Sequence, residues 1–262
     1  MIEVVALTKQ FDSALAVDHI DLTVGPGEIV GLVGVNGAGK TTFLRMLAGI
    51  LPPTSGTIAI DGLPLEGDAV EARGRLAFVP DTPMLFETLT VLEHLLFVAE
   101  LYGVKDPHPA LDALLDEFEL QAKRHATASA LSRGMRQKLA ICCAFLHEPA
   151  ALLLDEPLTG LDPPARTRMG EAIMRRAAQG AAVIVSSHQL DFVERLSSRF
   201  VLVHEGKVHL AGTAAEIELS TDGQTLEDVF MSITGGRVTD SPGSDAHDTS
   251  DRAPAAPLDP PA

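Results

Sequence analysis

The sequence predicts an α/β protein: a mostly parallel sheet, an N-terminal antiparallel β portion and a helical insertion. Three observations predict it. Short apolar runs at 29–33, 76–79, 150–154 and 181–185 read as strands buried on both faces. Stretches with apolar residues at helical spacing lie between them. A glycine-rich segment, Gly34-Val35-Asn36-Gly37-Ala38-Gly39-Lys40-Thr41, falls where the run 29–33 gives way to the helical pattern of Thr42, Phe43, Leu44, Met46 and Leu47.

Taken in order, residues 2–7 and 20–24 read as short strands, with Gly25-Pro26-Gly27 as a turn. Lys9-Gln10-Phe11-Asp12 reads as a polar loop between them. The glycine-rich segment fits G-x-x-x-x-G-K-[ST], the phosphate-binding loop of many nucleotide-hydrolysing proteins. Gly34, Gly37 and Gly39 permit backbone angles that a side chain forbids. The loop amides then face phosphate oxygens, and the helix that follows adds the positive end of its dipole. Lys40 places its charge on the β- and γ-phosphates, and the Thr41 hydroxyl is a ligand for Mg²⁺. Gly34, Asn36, Gly37, Ala38, Gly39, Lys40, Thr41 and Thr42 are the candidate phosphate-binding residues. Phe11, an aromatic upstream of this loop, is placed to stack on a nucleobase.

Pro52-Pro53 stops the loop helix, residues 57–60 alternate as a strand, and Asp61-Gly62 closes it as a turn. The strand 76–79 runs into a loop, Pro80-Asp81-Thr82-Pro83. Thr90-Val91-Leu92-Glu93 has the form of a capping box, opening a helix with Leu92, Leu95, Leu96, Ala99 and Tyr102 on one face. Gly103 and Pro107 end it. A second helix begins near Ala110 and buries Leu111, Leu114, Leu115 and Phe118. Ser132 is a good N-cap for a third, through Leu139, Ile141, Cys142 and Phe145. Residues from about 82 to 147 therefore form a helical subdomain set between strands of the core.

The run 150–154 ends in two adjacent acids, Asp155 and Glu156. Carboxylates at the tip of a hydrophobic strand cost too much to be packing. In an open parallel sheet, ligands bind at the carboxyl ends of strands. One carboxylate for Mg²⁺ and one for water is the natural reading beside a phosphate loop. The next buried strand, 181–185, ends in Ser186-Ser187-His188, which brings His188 to the same sheet edge. Residues 200–204 and 207–210 form a hairpin around Glu205-Gly206. A last helix, capped by Thr225, runs to about Ile233. From Gly235 the composition of Pro, Gly, Ser, Ala and Asp predicts a disordered acidic tail over 235–262.

The bulk numbers narrow the function. The 262 residues are 46% hydrophobic, enough for one large domain with a sizeable core. A net charge of −16 argues against an electrostatic grip on nucleic acid or anionic lipid. No apolar run approaches the ~18–20 residues of a spanning helix, and a cytoplasmic chain is expected. The neighbouring cysteines Cys142 and Cys143 make a poor disulfide and read as small buried residues on a helix.

The motifs, in this order, resemble the ATP-binding subunit of ABC transporters over residues 1 to about 234. The loop 34–42 stands at the position of the Walker A motif. Residues 131–135 stand where that family has its LSGGQ signature. Asp155 and Glu156 resemble Walker B with the catalytic glutamate, Leu161-Asp162 the D-loop and His188 the switch histidine. Phe11 falls at the adenine-stacking position. Two departures are present. The signature reads Ser-Arg-Gly-Met, which keeps Ser132 and Gly134 and adds Arg133; and Asp81 replaces the family's Q-loop glutamine, still within reach of Mg²⁺ through water. Both resemble single-domain subunits that pair with a separately encoded permease of the ABC-2 type, many of them exporters.

The resemblance implies a P-loop NTPase core with ATP and Mg²⁺ as cofactors, Glu156 as general base and His188 on the γ-phosphate. Thr41, Asp155 and Asp81 are the metal candidates. It also implies a head-to-tail dimer with a second ATP-binding subunit, in which Ser132 and Gly134 of one copy close over the nucleotide of the other. The expected location is the inner face of the cell membrane, held there by an integral-membrane permease docked on residues 80–105. Two rival readings are an ABC-type ATPase acting on nucleic acid or ribosomes and a P-loop kinase. The first is expected to carry tandem cassettes or long coiled coils. The second leaves residues 131–135 without a role.

Overall fold

The chain opens with β1 (Ile2–Phe11) and β2 (Ala14–Val24), an antiparallel pair longer than the apolar runs within it. Cross-strand pairing carries the ladder past Leu7 into polar residues, so Lys9 pairs with Val17 and Phe11 with Ala14. Phe11 therefore ends a strand rather than sitting in a loop. This computed structural model describes residues 1–12, 14–221 and 223–234; the tail expected from Gly235 lies outside the described residues.

Next come β3 (Ile29–Val33), α1 (Lys40–Leu47), β4 (Ser55–Ile60), β5 (Leu63–Pro64), α2 (Val70–Gly74) and β6 (Leu76–Val79). The helical insertion holds α3 (Val91–Leu101), α4 (His108–Glu117) and α5 (Arg133–Phe145). The core resumes with β7 (Ala151–Asp155), α6 (Pro163–Ala178), β8 (Ala182–Ser186), α7 (Leu190–Leu196), β9 (Arg199–His204), β10 (Lys207–Gly212), α8 (Ala214–Ser220) and α9 (Leu226–Thr234). Two sheets result. A four-stranded sheet runs β2-β1-β4-β5, antiparallel throughout. A six-stranded sheet runs β10-β9-β3-β8-β7-β6, parallel except for β10 at one edge.

Strand periodicity assigns the layers. Val30, Leu32, Leu153 and Ile184 point to one face of the large sheet, where α1 lies sandwiched against the antiparallel sheet. Leu152, Leu154, Val183 and Val185 point to the other face and meet the insertion and α6. A third cluster joins Val33, Phe200 and Leu202 to Ile217, Val229 and Phe230 of α8 and α9. Each large apolar side chain so buried contributes roughly 1.5–3 kcal/mol. α1 buries Phe43, Leu44, Met46 and Leu47 together, which anchors the loop that precedes it.

The insertion keeps the expected capping box: the Thr90 hydroxyl accepts from the Glu93 amide, and the Glu93 carboxylate accepts from the Thr90 amide at 2.7 Å. Its buried face is rotated from the expected one. Val91, His94, Leu95 and Ala99 point inward, while Leu92 and Leu96 are half-buried and Tyr102 is 39% exposed. His94 takes the inward place because both ring nitrogens are satisfied there. Nδ1 lies 2.9 Å from the Thr90 carbonyl, and Nε2 accepts from the Phe86 amide at 3.0 Å. Ion pairs tie the insertion to the core: Glu119 meets Arg168 of α6 at 2.6 Å, and Glu117 meets Arg175.

Candidate nucleotide site

β3 delivers the chain to a turn too tight for side chains at two positions. A Cβ on Gly34 would stand 2.3 Å from the Val203 carbonyl oxygen. At Gly39 φ is +105°, and a Cβ would stand 2.4 Å from the Ala16 carbonyl oxygen. Gly39 then caps α1 with no side-chain acceptor, so the first amides of the helix remain free to receive an anion.

Lys40, the first residue of α1, is 7% exposed. Its ammonium donates to the carbonyls of Gly34, at 2.6 Å, and Val35, at 3.1 Å. Burial holds the Lys40 pKa below the usual lysine value, and the negative charges of Glu156 and Asp155 act in the opposite direction. A buried cation facing two carboxylates is a poor structural investment and a good phosphate site.

β7 and β8 run parallel, with Asp155 paired to Ser186 at their carboxyl ends. Asp155 is 1% exposed; its Oδ1 accepts from the Ser186 hydroxyl at 2.5 Å, and its Oδ2 has no hydrogen-bond partner. Glu156 follows with φ +47°, an unusual conformation for a side-chain-bearing residue. Its amide donates to the Ser186 carbonyl at 3.1 Å and to the Ser186 hydroxyl oxygen at 3.2 Å. Glu156 Oε2 accepts from the Ser187 hydroxyl at 3.3 Å and lies 3.0 Å from His188 Nδ1.

These groups share a cleft of about 260 Å³, lined by residues 36–42 together with Asp81, Asp155, Glu156 and Ala16. Gly34 lies behind the loop and supports it. His188 touches Glu156 but is not among the lining residues; it lines a second, larger cavity instead. Phe11, Ser132 and Gly134 are not among the lining residues. Phe11 is 44% exposed, with the Lys9 ammonium 5.1 Å from its ring centre. Ser132 caps α5 by accepting from the Met135 amide, and Gly134 packs so closely that a Cβ would stand 2.6 Å from the Gly160 carbonyl oxygen. A larger cavity of about 760 Å³ lies between α6, α7 and α9, but it contains none of the loop residues. Ala16, Ser186 and Ser187 carry no motif and stand out only once the strands are paired.

The residues present fit a magnesium ion. Mg²⁺ is held by one or two carboxylates plus substrate phosphates rather than by an all-protein cage. The cleft offers a buried carboxylate oxygen with no other partner, Asp155 Oδ2, beside Thr41 and Asp81. Among the described residues, no group of three or more His, Cys, Asp and Glu side chains forms an all-protein metal cluster.

Strand, glycine loop, helix and acid pair define a P-loop ATPase site. Residues 17–159 match the family model described as ABC transporter. The chain is 34% identical to the ABC-type transporter ATP-binding protein EcsA of Bacillus subtilis, covering 89% of this chain and 96% of that one. It is 40% identical to Nod factor export ATP-binding protein I of Burkholderia pseudomallei, over 76% of this chain and 66% of that protein. A solved ATP-binding subunit of an ABC transporter superposes with a TM-score of 0.86 at 35% identity, covering 89% of this chain and 99% of that one. A dimeric ATP-binding cassette solved in a post-hydrolysis state bound to ADP and Pi shares the fold, with a TM-score of 0.75 at 23% identity over 81% of this chain and 98% of that one. The chain belongs to the ABC transporter family, as the ATP-hydrolysing subunit of a transporter.

Proposed function

We propose that this subunit hydrolyses Mg²⁺-ATP as a head-to-tail dimer and drives export through a separately encoded membrane permease. The single observation that carries the chemistry is the meeting, in one cleft, of the glycine loop, the unpartnered Oδ2 of Asp155 and the carboxylate of Glu156. The loop amides and Lys40 bind and orient the phosphates. Thr41 and Asp155 would hold the metal, and Asp81, which lines the same cleft, would act on it through water. When bound, Mg²⁺ neutralises charge on the phosphate oxygens. Glu156 takes a proton from the attacking water as its oxygen bonds to the γ-phosphorus and the bond to the β,γ-bridging oxygen breaks. His188, in contact with Glu156, would steady the γ-phosphate, and Phe11 would stack on the base. Little covalent work falls to the protein; positioning and charge stabilisation dominate.

Support for the dimer comes from Ser132 and Gly134. They stand at a helix N-terminus, a ready site for phosphate, yet outside their own chain's cleft. Arg133 adds a positive charge between them. A second copy supplies the nucleotide they would close over. Support for a permease comes from an apolar surface within residues 80–105. Met84 is 93% exposed, Leu101 66%, Phe86 58% and Phe97 48%. Of these, Phe86 and Phe97 touch, with ring centroids 5.6 Å apart, and exposed apolar surface of this kind suits a protein contact. Among the described residues, no helix is long and apolar enough to cross a membrane, so a membrane position at the cytoplasmic face depends on that contact. The export direction rests on the name of the Nod factor relative.

The test is affinity purification of the chain from detergent-solubilised membranes of its host. A polytopic membrane protein in stoichiometric amount is expected, and it is lost with Met84→Asp/Phe86→Asp while ATPase activity remains. Recovery of soluble or ribosomal partners alone would overturn the transport assignment to a permease.

A further inference from the structure

The end of β8 carries two adjacent serines, both essentially sealed from solvent: Ser186 is 0% exposed and Ser187 1%. Each hydroxyl has one proton to give and lone pairs to receive. At Ser186, the lone pair is taken by the Glu156 amide at 3.2 Å, so the proton points to Asp155 Oδ1 at 2.5 Å. At Ser187, the lone pair is taken by the Gln189 amide at 3.1 Å, so the proton points to Glu156 Oε2 at 3.3 Å. The same device is used twice, one serine to each acid.

We infer that Ser186 and Ser187 are the positioning residues of the hydrolytic site: Ser186 turns Asp155 so that its free oxygen faces the metal, and Ser187 holds Glu156 toward the attacking water. The inference rests on the proposed roles of Asp155 and Glu156. Parallel register makes it specific. Asp155 and Ser186 are paired residues on neighbouring strands, so the sheet sets the carboxylate and the hydroxyl side by side, and burial with their mutual hydrogen bond holds them there. A buried carboxylate with one oxygen pinned presents the other in a single direction. Outer-sphere partners of this kind, when removed, cost about 10–100-fold in metal affinity or activity.

A purely structural role predicts something different. Removing the Ser186 hydroxyl leaves the Glu156 amide bonded to the Ser186 carbonyl at 3.1 Å, so the positive-φ turn at Glu156 keeps a bond. Ser186→Ala is therefore expected to fold. Its defect should appear in metal dependence rather than in melting temperature.

The experiment uses the full chain and a fluorescent ATP analogue. Binding is titrated against Mg²⁺, binding is repeated in EDTA, and turnover gives kcat and KM. Ser186→Ala should raise the Mg²⁺ midpoint about 10–100-fold and leave metal-free nucleotide binding unchanged; Ser186→Thr, which keeps a hydroxyl, should restore the midpoint. Ser187→Ala should lower kcat about 10–100-fold with KM and the Mg²⁺ midpoint unchanged, as expected for one hydrogen bond to a charged group. Asp155→Asn is the control. If it abolishes the Mg²⁺ dependence while Ser186→Ala keeps the wild-type midpoint, the serine assignment is overturned and the site stands. If Asp155→Asn itself keeps the wild-type Mg²⁺ midpoint, the metal role of Asp155 fails and the inference fails with it. Loss of kcat and midpoint together in both serine variants, tracking a fall in melting temperature, would reduce the pair to a packing role.

Discussion

Nδ1 of His188 lies 3.0 Å from Oε2 of Glu156, with the imidazole half exposed and the carboxylate largely covered. The contact joins the tip of β7 to the loop after β8 and sets Glu156 on the cleft side of the histidine. In the proposed mechanism Glu156 acts as base on water beside the γ-phosphate and makes no bond that ATP needs for binding. Glu156→Gln preserves the shape and removes the base. Steady-state phosphate release should fall roughly 10²–10⁴-fold, while binding of a fluorescent ATP analogue survives. Hydrolysis at the wild-type rate in this variant would sink the role of Glu156.

Lys40 is expected to behave in the opposite way. Its ammonium is already desolvated and held on the Gly34 and Val35 carbonyls, facing Asp155 and Glu156. A phosphate entering the loop replaces those carbonyls with full negative charges. Lys40→Ala should therefore weaken nucleotide binding itself, by at least about 10–100-fold for the lost charge-assisted contacts. Equilibrium titration with the same analogue reads this directly, and unchanged affinity would count against the phosphate loop.

How far the chain is legible depends on whether a relationship is local. The loop at 34–41 can be read because its spacing is linear, and β3 and β6 match their apolar runs residue for residue. α5 was expected because Ser132 announces it, and Ser132 does cap it. Relationships across the sheet are different. Ser186 and Ser187 look like strand-end serines until the pairing of β7 with β8 sets Ser186 opposite Asp155 and brings the Ser187 hydroxyl to Glu156. Ala16 touches the loop through its carbonyl, which no residue type reports. β1 and β2 outrun their apolar runs because pairing partners, not hydrophobicity, extend them. The short helices α2, α7 and α8 lack the length for a periodic signal, although Thr213 and Glu216 form a capping box at the start of α8. On α3, Leu95 and Ala99 of the expected face are buried and Leu92 and Leu96 pack against the core, but Val91 and a histidine with both nitrogens satisfied share the buried face, which leucine spacing does not report.

The cysteine pair offers a check on the packing of α5. Cys142 is fully buried, and burial raises its thiol well above the ordinary value; Cys143, expected to be buried as well, is only half-buried, although desolvation still pushes its thiol up to about 12. At pH 8 the reactive thiolate of such a group is only about one part in 10⁴. The native protein should resist a thiol-specific reagent over minutes and lose no ATPase activity to it. Both thiols should react at once in denaturant. Rapid stoichiometric labelling of Cys142 in the folded chain would mean that α5 is not packed as described.

Tyr102 and His147 stack with ring centroids 3.8 Å apart, joining the end of α3 to the segment after α5, and His147 Nε2 lies 3.3 Å from the Leu76 carbonyl at the start of β6. The contact thus ties the insertion to the core sheet. Burial holds the His147 pKa below the usual 6.5, with the carbonyls of Leu76 and Cys143 pulling the other way. Between that lowered value and 6.5, the unfolded chain binds more protons than the folded one, so stability rises with pH across the window. The contribution is complete above about pH 6.5 and is lost as the pH falls toward and through the folded value. His147→Phe keeps the stack on Tyr102 and removes the titration. Its melting temperature should fall less than that of the wild type between pH 7.5 and pH 5.5. Every other ionisable group is common to the two proteins, so the difference between the two curves isolates this ring. Parallel curves would mean that His147 is not held neutral by the fold.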